Sequence, residues 1–279
     1  MKKRFLAAFL VVVMALSLTA CGSSDSEKKE ESPKKSSKKE YVPEDKINSV
    51  FSNPDKFEGK YIKLTGQIFY GPEKEDNISA YQAWYDTVTS SKDFIFGIEG
   101  GDTFSFEDYV IVDGEIQGGY TGENLMGGEV TCPVINAISV KKITYIEAVV
   151  PTIKEITPEN AVAEQNGISM KVDKIEFAEK ETRVYITESS SAADKFSMYS
   201  YDIKIIQNGQ QIEQDTNSMS PYEGNYPKLS DDILPNASTS GILVFPAIDN
   251  SADFQIYAEG YSDNFELTFS PFTIDIAAQ

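Results

Sequence analysis

The chain has 279 residues and a mass of 30.9 kDa, room for two ordinary domains and some extra segments. Acidic residues outnumber basic ones 44 to 25, the net charge is -19 and there is no histidine, which excludes a Ser-His-Asp triad, a Cys-His dyad and any His-ligated zinc, copper or haem. Two cysteines exclude a four-cysteine zinc site and a disulfide-dense scaffold, while 41% hydrophobic residues suffice for packed cores.

At the amino end, Lys2, Lys3 and Arg4 precede an apolar run, Phe5 to Leu18, shorter than the about 20 residues that span a bilayer. This is the pattern of a secretion signal, residues 1–20. The run ends in Leu18-Thr19-Ala20-Cys21, which resembles the lipobox of bacterial lipoprotein precursors. The resemblance implies cleavage before Cys21 and a diacylglyceryl thioether on its sulfur, anchoring the mature chain to the extracellular face of a bacterial cell membrane without spanning it. Residues 21–40 then mix Ser, Lys and Glu with no large apolar side chain, so they can bury nothing and read as a disordered tether. About 19 such residues have an r.m.s. reach of roughly 25 Å.

The acidity belongs to the chain beyond the tether. Residues 41–150 hold 18 acidic and 8 basic residues, and residues 151–279 hold 21 and 8, so neither half offers the clustered cations that nucleic acid requires. Residues 41–60 predict a helix: Pro43 at its start, Glu44 and Asp45 at the positive end, and Ile47, Val50 and Phe51 at helical spacing until Asn53-Pro54. The period then becomes two. Ile62, Leu64 and Ile68, then Phe94, Phe96 and Ile98, then Val110, Val112 and Ile116, then Val130 to Val140 predict strands. Gly66 is expected to coil or bulge the first of them.

This leading helix, with Asn53-Pro54-Asp55-Lys56-Phe57-Glu58-Gly59-Lys60 before Ile62 to Gln67, Val110 to Ile116 and Pro133 to Ala137, resembles OB-fold modules of secreted bacterial proteins related to the tRNA-anticodon-binding type. The resemblance implies a small five-stranded barrel over residues 41–147, of a kind that often binds oligonucleotides or sugars. Residues 148–159 read as a linker. In residues 160–279, Ile168, Met170 and Val172 alternate, and Ile175 and Phe177 resume after a phase slip at Asp173-Lys174 that predicts a bulge. Tyr199, Tyr201, Ile203 and Ile205 are expected to share a strand face, and Asn208-Gly209 predicts a type I′ hairpin. Asn166 to Val172, Glu181 to Ile186, Ser240-Gly241-Ile242-Leu243-Val244-Phe245-Pro246 and Phe272 to Ile276 are similar to a family of immunoglobulin-like domains of unknown function found on Gram-positive lipoproteins. The fold class expected is mostly β: a small OB-like barrel with one leading helix, followed by an Ig-like β-sandwich.

No catalytic residue, metal ligand or cofactor site emerges. Ser262-Asp263-Asn264 lacks the helix-borne Ser-x-x-Lys that penicillin-recognising enzymes need. Gly118 to Gly122 and Gly127-Gly128, which read as flanking a flexible loop, lack the Lys-Ser/Thr of a phosphate cradle. The acidic pairs match no EF-hand loop, and Cys132, left alone once Cys21 is lipidated, reads as a buried thiol. The candidate binding residues are aromatic: Tyr81, Trp84 and Tyr85 in the barrel, Tyr222 and Tyr226 in a Pro- and Gly-punctuated stretch of the sandwich. The expected function is a lipid-anchored envelope binding protein whose partners are the membrane, through its anchor, and an envelope protein or glycan, with nucleic acid excluded. The alternatives are a carboxylate-based envelope hydrolase and a calcium-dependent adhesion or sensing module.

Cell fractionation tests the anchor. Cys21→Ala is expected to leave an unprocessed precursor or to release the protein into the medium; a processed, membrane-held variant would contradict the lipobox.

Overall fold

The computed structural model describes residues 39–100, 103–123 and 128–278; the signal, the lipobox Leu18 to Cys21 and nearly all of the tether lie outside the described residues. The chain divides into two units between Ile143 and Thr144. Among the described residues no helix is long and apolar enough to cross a membrane.

The described part of the first unit holds a 3-10 turn, Glu44–Lys46, and then α1 (Ile47–Ser52), which buries Val50. Pro54 starts a second 3-10 turn, Pro54–Phe57, because a proline cannot continue the helix before it. Five strands follow among the described residues: β1 (Tyr61–Glu75), β2 (Ile78–Asp86), β3 (Ser91–Glu99), β4 (Tyr109–Glu123) and β5 (Glu129–Ile143). They close a barrel in the order β1-β2-β3-β5-β4, with β3 and β5 parallel and every other pair antiparallel. This is the OB-like barrel. The alternation of β1 turns Ile62, Leu64 and Ile68 inward onto Tyr81, Ala83, Phe94, Phe96, Val110, Val112 and Ile135. Cys132 lies with Ile95 and Val134 in a separate small cluster.

One expectation changes here. Gly66 keeps β1 in register with β4, and the irregularities of the β1–β2 pairing fall between Ile68 and Glu73. Its role is clearance, since a Cβ at Gly66 would lie 2.7 Å from both the Phe94 ring and the Trp84 carbonyl oxygen. Gly118 to Gly122, expected to flank a loop together with Gly127-Gly128, lie toward the end of β4, whose register against β5 shifts between Ile116 and Gly119; residues 124–127 lie outside the described residues.

The second unit begins with α2 (Tyr145–Val149), started by a capping box in which the Thr144 hydroxyl accepts from the Glu147 N–H and Glu147 accepts from the Thr144 N–H. Its other elements are β6 (Thr152–Ile156), β7 (Val162–Gln165), β8 (Ile168–Ala178), β9 (Glu181–Ser190), β10 (Phe196–Ser197), β11 (Lys204–Gln207), β12 (Gln210–Ile212), α3 (Ser220–Glu223), β13 (Asp232–Ile233), β14 (Ser238–Pro246), β15 (Phe254–Ala258), β16 (Tyr261–Ser262) and β17 (Phe272–Ile276). One sheet runs β14-β9-β8-β6, with β7 also on β8; the other runs β12-β11-β15-β17; β13-β10-β16 form a small third sheet. Met170, Val172, Val184, Ile186 and Phe245 from the first sheet meet Ile205, Ile256, Phe272 and Ile274 from the second. This is an Ig-like β-sandwich. The bulge at Asp173 and the hairpin at Asn208-Gly209, with φ of 53° and 76°, are as expected.

The expected linker at 148–159 is corrected. It holds the end of α2 and all of β6, which pairs with β8, so those residues belong to the sandwich. The reason is Arg183, the one arginine beyond the signal segment. It is fully buried on the sheet face turned away from the sandwich core. Its Nη1 donates to the Val150 carbonyl (3.0 Å) and Glu181 (2.6 Å), its Nη2 to the Thr152 hydroxyl (2.7 Å) and its Nε to Glu176 (2.9 Å). The supposed linker therefore supplies two of its acceptors. Burial opposes the charge of Glu176, yet hydrogen bonds from Lys174 and Arg183 outweigh it and hold that carboxyl below its ordinary value.

Arg183→Met takes the buried cation from two buried carboxylates, leaving Glu176 to Lys174 and Glu181 to the Ser218 and Ser220 hydroxyls, and is expected to destabilise the second unit by about 3 kcal/mol. Urea unfolding checks this, because the single tryptophan, Trp84, reports the barrel alone while circular dichroism reports both units. An unchanged second-unit transition would contradict the role assigned to Arg183. Cys132 is 3% exposed, and burial followed by the Asp93 charge pushes its thiol up to about 12. It is therefore expected to label slowly in the native protein and rapidly in denaturant, as a thiol-reagent time course will show; fast native labelling would contradict the buried assignment.

Candidate functional site

The three barrel aromatics are not brought together. Strand alternation sends Tyr81 and Trp84 to opposite faces of β2. Tyr81 is in the core, 1% exposed, stacked on Phe96 with its hydroxyl accepting from the Phe104 N–H. It is thereby removed as a binding residue. Trp84 faces outward, but its ring is already stacked on Phe69 at 4.3 Å. Tyr85 is half-buried, with Phe51 of α1 at 5.2 Å and the Lys92 ammonium 5.8 Å from its ring. Beside it lies an open groove of about 590 Å³, lined by Asn48, Phe51, Ser90, Lys92, Asp93 and Thr131. Its polar groups are partly committed, since Lys92 donates to the Asn48 side chain at 2.9 Å and Gln82 donates to Asp93 at 3.4 Å.

The two sandwich candidates also separate. Tyr222, in α3, is 79% exposed, whereas Tyr226 packs edge-on against Tyr185 at 5.7 Å. Ser262-Asp263-Asn264 forms a local turn in which the Ser262 hydroxyl accepts from the Asn264 N–H. Among the described residues, no three His, Cys, Asp or Glu side chains gather as a metal site.

A different tyrosine group stands out. Tyr199, Tyr201 and Tyr261 are 38%, 60% and 46% exposed. Tyr199 and Tyr201 stack at 5.4 Å, and the hydroxyls of Tyr199 and Tyr261 lie 2.7 Å apart. That contact pushes the Tyr199 hydroxyl up to about 12, so it is neutral at ordinary pH. The sequence pattern placed Tyr199 and Tyr201 on a strand face with Ile203 and Ile205. The structure instead puts a 3-10 turn at Ser200–Asp202, and the strand begins at Lys204. The isoleucines enter the core while the tyrosines remain outside.

Hydrogen bonding from the 213–231 segment holds this turn. Asp231 accepts from the Ser200 N–H (2.8 Å) and hydroxyl (2.7 Å), and its carbonyl accepts from the Met198 N–H (2.9 Å). Gln214 donates to the carbonyls of Ser200 (2.5 Å) and Ile203 (3.1 Å). Asp232 accepts from Ser197 and Lys195 beside Tyr261, giving the tyrosines a charged rim. The one sequence signal for this surface was the tyrosine spacing itself, which fits a strand equally well.

No protein-family model matches the chain, and no curated protein matches it. Two solved structures are similar to it in part. A functionally unknown protein from Listeria monocytogenes EGD-e is 10% identical, with a TM-score of 0.36 over 49% of this chain and 94% of that one. A conserved domain protein from Bacillus anthracis is 10% identical, with a TM-score of 0.32 over 79% of this chain and 77% of that one.

Proposed function

We propose that this chain is a lipid-anchored binding protein of a bacterial cell envelope, displayed outside the membrane, and that Tyr199, Tyr201 and Tyr261 form the face that meets its protein or glycan ligand. The lipobox and tether supply the address. The observation that carries the binding role is the fixed, exposed tyrosine group. An aromatic side chain with only two rotatable angles gives a large contact area at low entropic cost, and that cost falls further when its backbone is already held. Asp231 and Gln214 do that holding. Trp84 is the weaker anchor because it is only half-exposed, with Phe69 stacked on its ring, whereas the three tyrosines are exposed. The acidity of both halves opposes a polyanionic ligand such as nucleic acid.

Crosslinking on intact cells tests this reading. Species captured by the wild type are expected to be lost with Tyr201→Ala or Tyr261→Ala, each costing about 2 kcal/mol, roughly thirtyfold in affinity. They are expected to survive Trp84→Ala. Proteolysis or glycosidase treatment of the captured material then separates protein from glycan. Loss on Trp84→Ala with retention in both tyrosine variants would move the site to the barrel.

A further inference from the structure

Glu188 lies in the middle of a sheet, opposite Met170 of β8 and Thr239 of β14, neither of which titrates. Its side chain is fully buried, and neither carboxyl oxygen has a hydrogen-bond partner. Such a group is costly in either protonation state and far more so when charged, because nothing around it replaces water. The titratable group whose field reaches it is Asp231, just before β13. Asp232, the next residue, is engaged by Ser197 and Lys195, and β10 contributes only Phe196 and Ser197. Asp231 is also the residue that grips the tyrosine turn through Ser200 and Met198. A buried carboxyl is thus set against the clamp of an exposed surface.

We propose that a proton on Glu188 keeps the Asp231 clamp closed, so that the tyrosine face is firm while Glu188 is neutral and loosens when Glu188 ionises. An ionised Glu188 sets a second negative charge, itself buried away from water, against the half-buried Asp231, and moving the 231 segment outward relieves it. That movement withdraws the acceptors of the Ser200 and Met198 N–H groups. Burial first, and then the Asp231 charge, push the Glu188 carboxyl from its ordinary 4.5 up to about 8. Because the closed state holds the proton more tightly than the open one, the clamp is fully stabilised below 4.5. That stabilisation is lost as pH rises through about 8. Between those limits each pH unit raises the population of the open clamp by up to about tenfold, the linkage of one proton.

This regulation rests on the tyrosine face being the binding surface, but amide exchange reads the clamp and cell-surface capture reads binding, so the two can fail separately. In the full chain, the protection of the Met198 and Ser200 amides, corrected for the intrinsic pH dependence of exchange, should fall by up to about tenfold per pH unit between about pH 5.5 and 7.5. Glu188→Gln, which mimics the neutral acid, should hold that protection constant. A flat wild-type profile, or an equal fall in Glu188→Gln, would overturn the proposal. Carbon-13 NMR of the wild-type glutamate carboxyls checks the titration without any variant: one carboxyl titrating in step with the fall in protection supports the proposal, and none above the usual glutamate range overturns it.

Discussion

A buried guanidinium organises the second unit. Arg183 cannot shed its charge, so every element near it has to present an acceptor or leave it unpaired. Glu176 and Glu181 come from the same sheet, while Val150 and Thr152 come from the entering chain. Glu181 in turn accepts from the Ser218 and Ser220 hydroxyls, which fastens the stretch around α3 to the outside of that sheet. The same stretch grips the tyrosine turn at its two ends, through Gln214 and Asp231. The stretch that holds the surface group is therefore itself fastened to a buried ion pair, and the geometry of the group belongs to the fold rather than to a free loop.

The barrel is built on the opposite principle. Its described core is apolar, centred on the rings of Tyr81, Phe94 and Phe96, and close approach at Gly66 takes the place of polar fastening. Its outer aromatics are consumed by one another, Trp84 by Phe69 and Tyr85 by Phe51. The two halves share an acidic character but divide the work that the proposed function requires, one as a packed module and the other as the carrier of an accessible rigid aromatic face.

Features set by local rules were legible in the sequence. The period-two runs of Ile62 to Ile68 and of Phe94 and Phe96 are strands facing a core, the phase slip at Asp173 is a bulge, and Asn208-Gly209 is a tight hairpin. Features set by distant partners were not. Residues 148–159 look like a linker because the acceptors they offer, a backbone carbonyl and one threonine hydroxyl, carry no signature until Arg183 is placed beside them. Tyr199 and Tyr201 continue the alternation of Ile203 and Ile205, and the turn that leaves them outside is held by Gln214 and Asp231, 14 and 31 residues beyond Ser200. Tyr81 was ambiguous for the converse reason: a barrel strand offers every second aromatic to the core, and the phase that decides which is fixed by pairing Tyr81 with Phe96 and Trp84 with Asp93.

The rigid tyrosine face of the second unit, and not the barrel, is the surface proposed to meet the envelope ligand. Competition measures this most directly: soluble residues 144–278 and soluble residues 39–143 are each added to cells whose surface ligand is being captured by the full-length protein. Residues 144–278 are predicted to displace the full-length protein, and to lose that ability when Tyr201 and Tyr261 are both changed to Ser. Displacement by residues 39–143, or by the doubly substituted fragment at undiminished strength, would contradict that assignment.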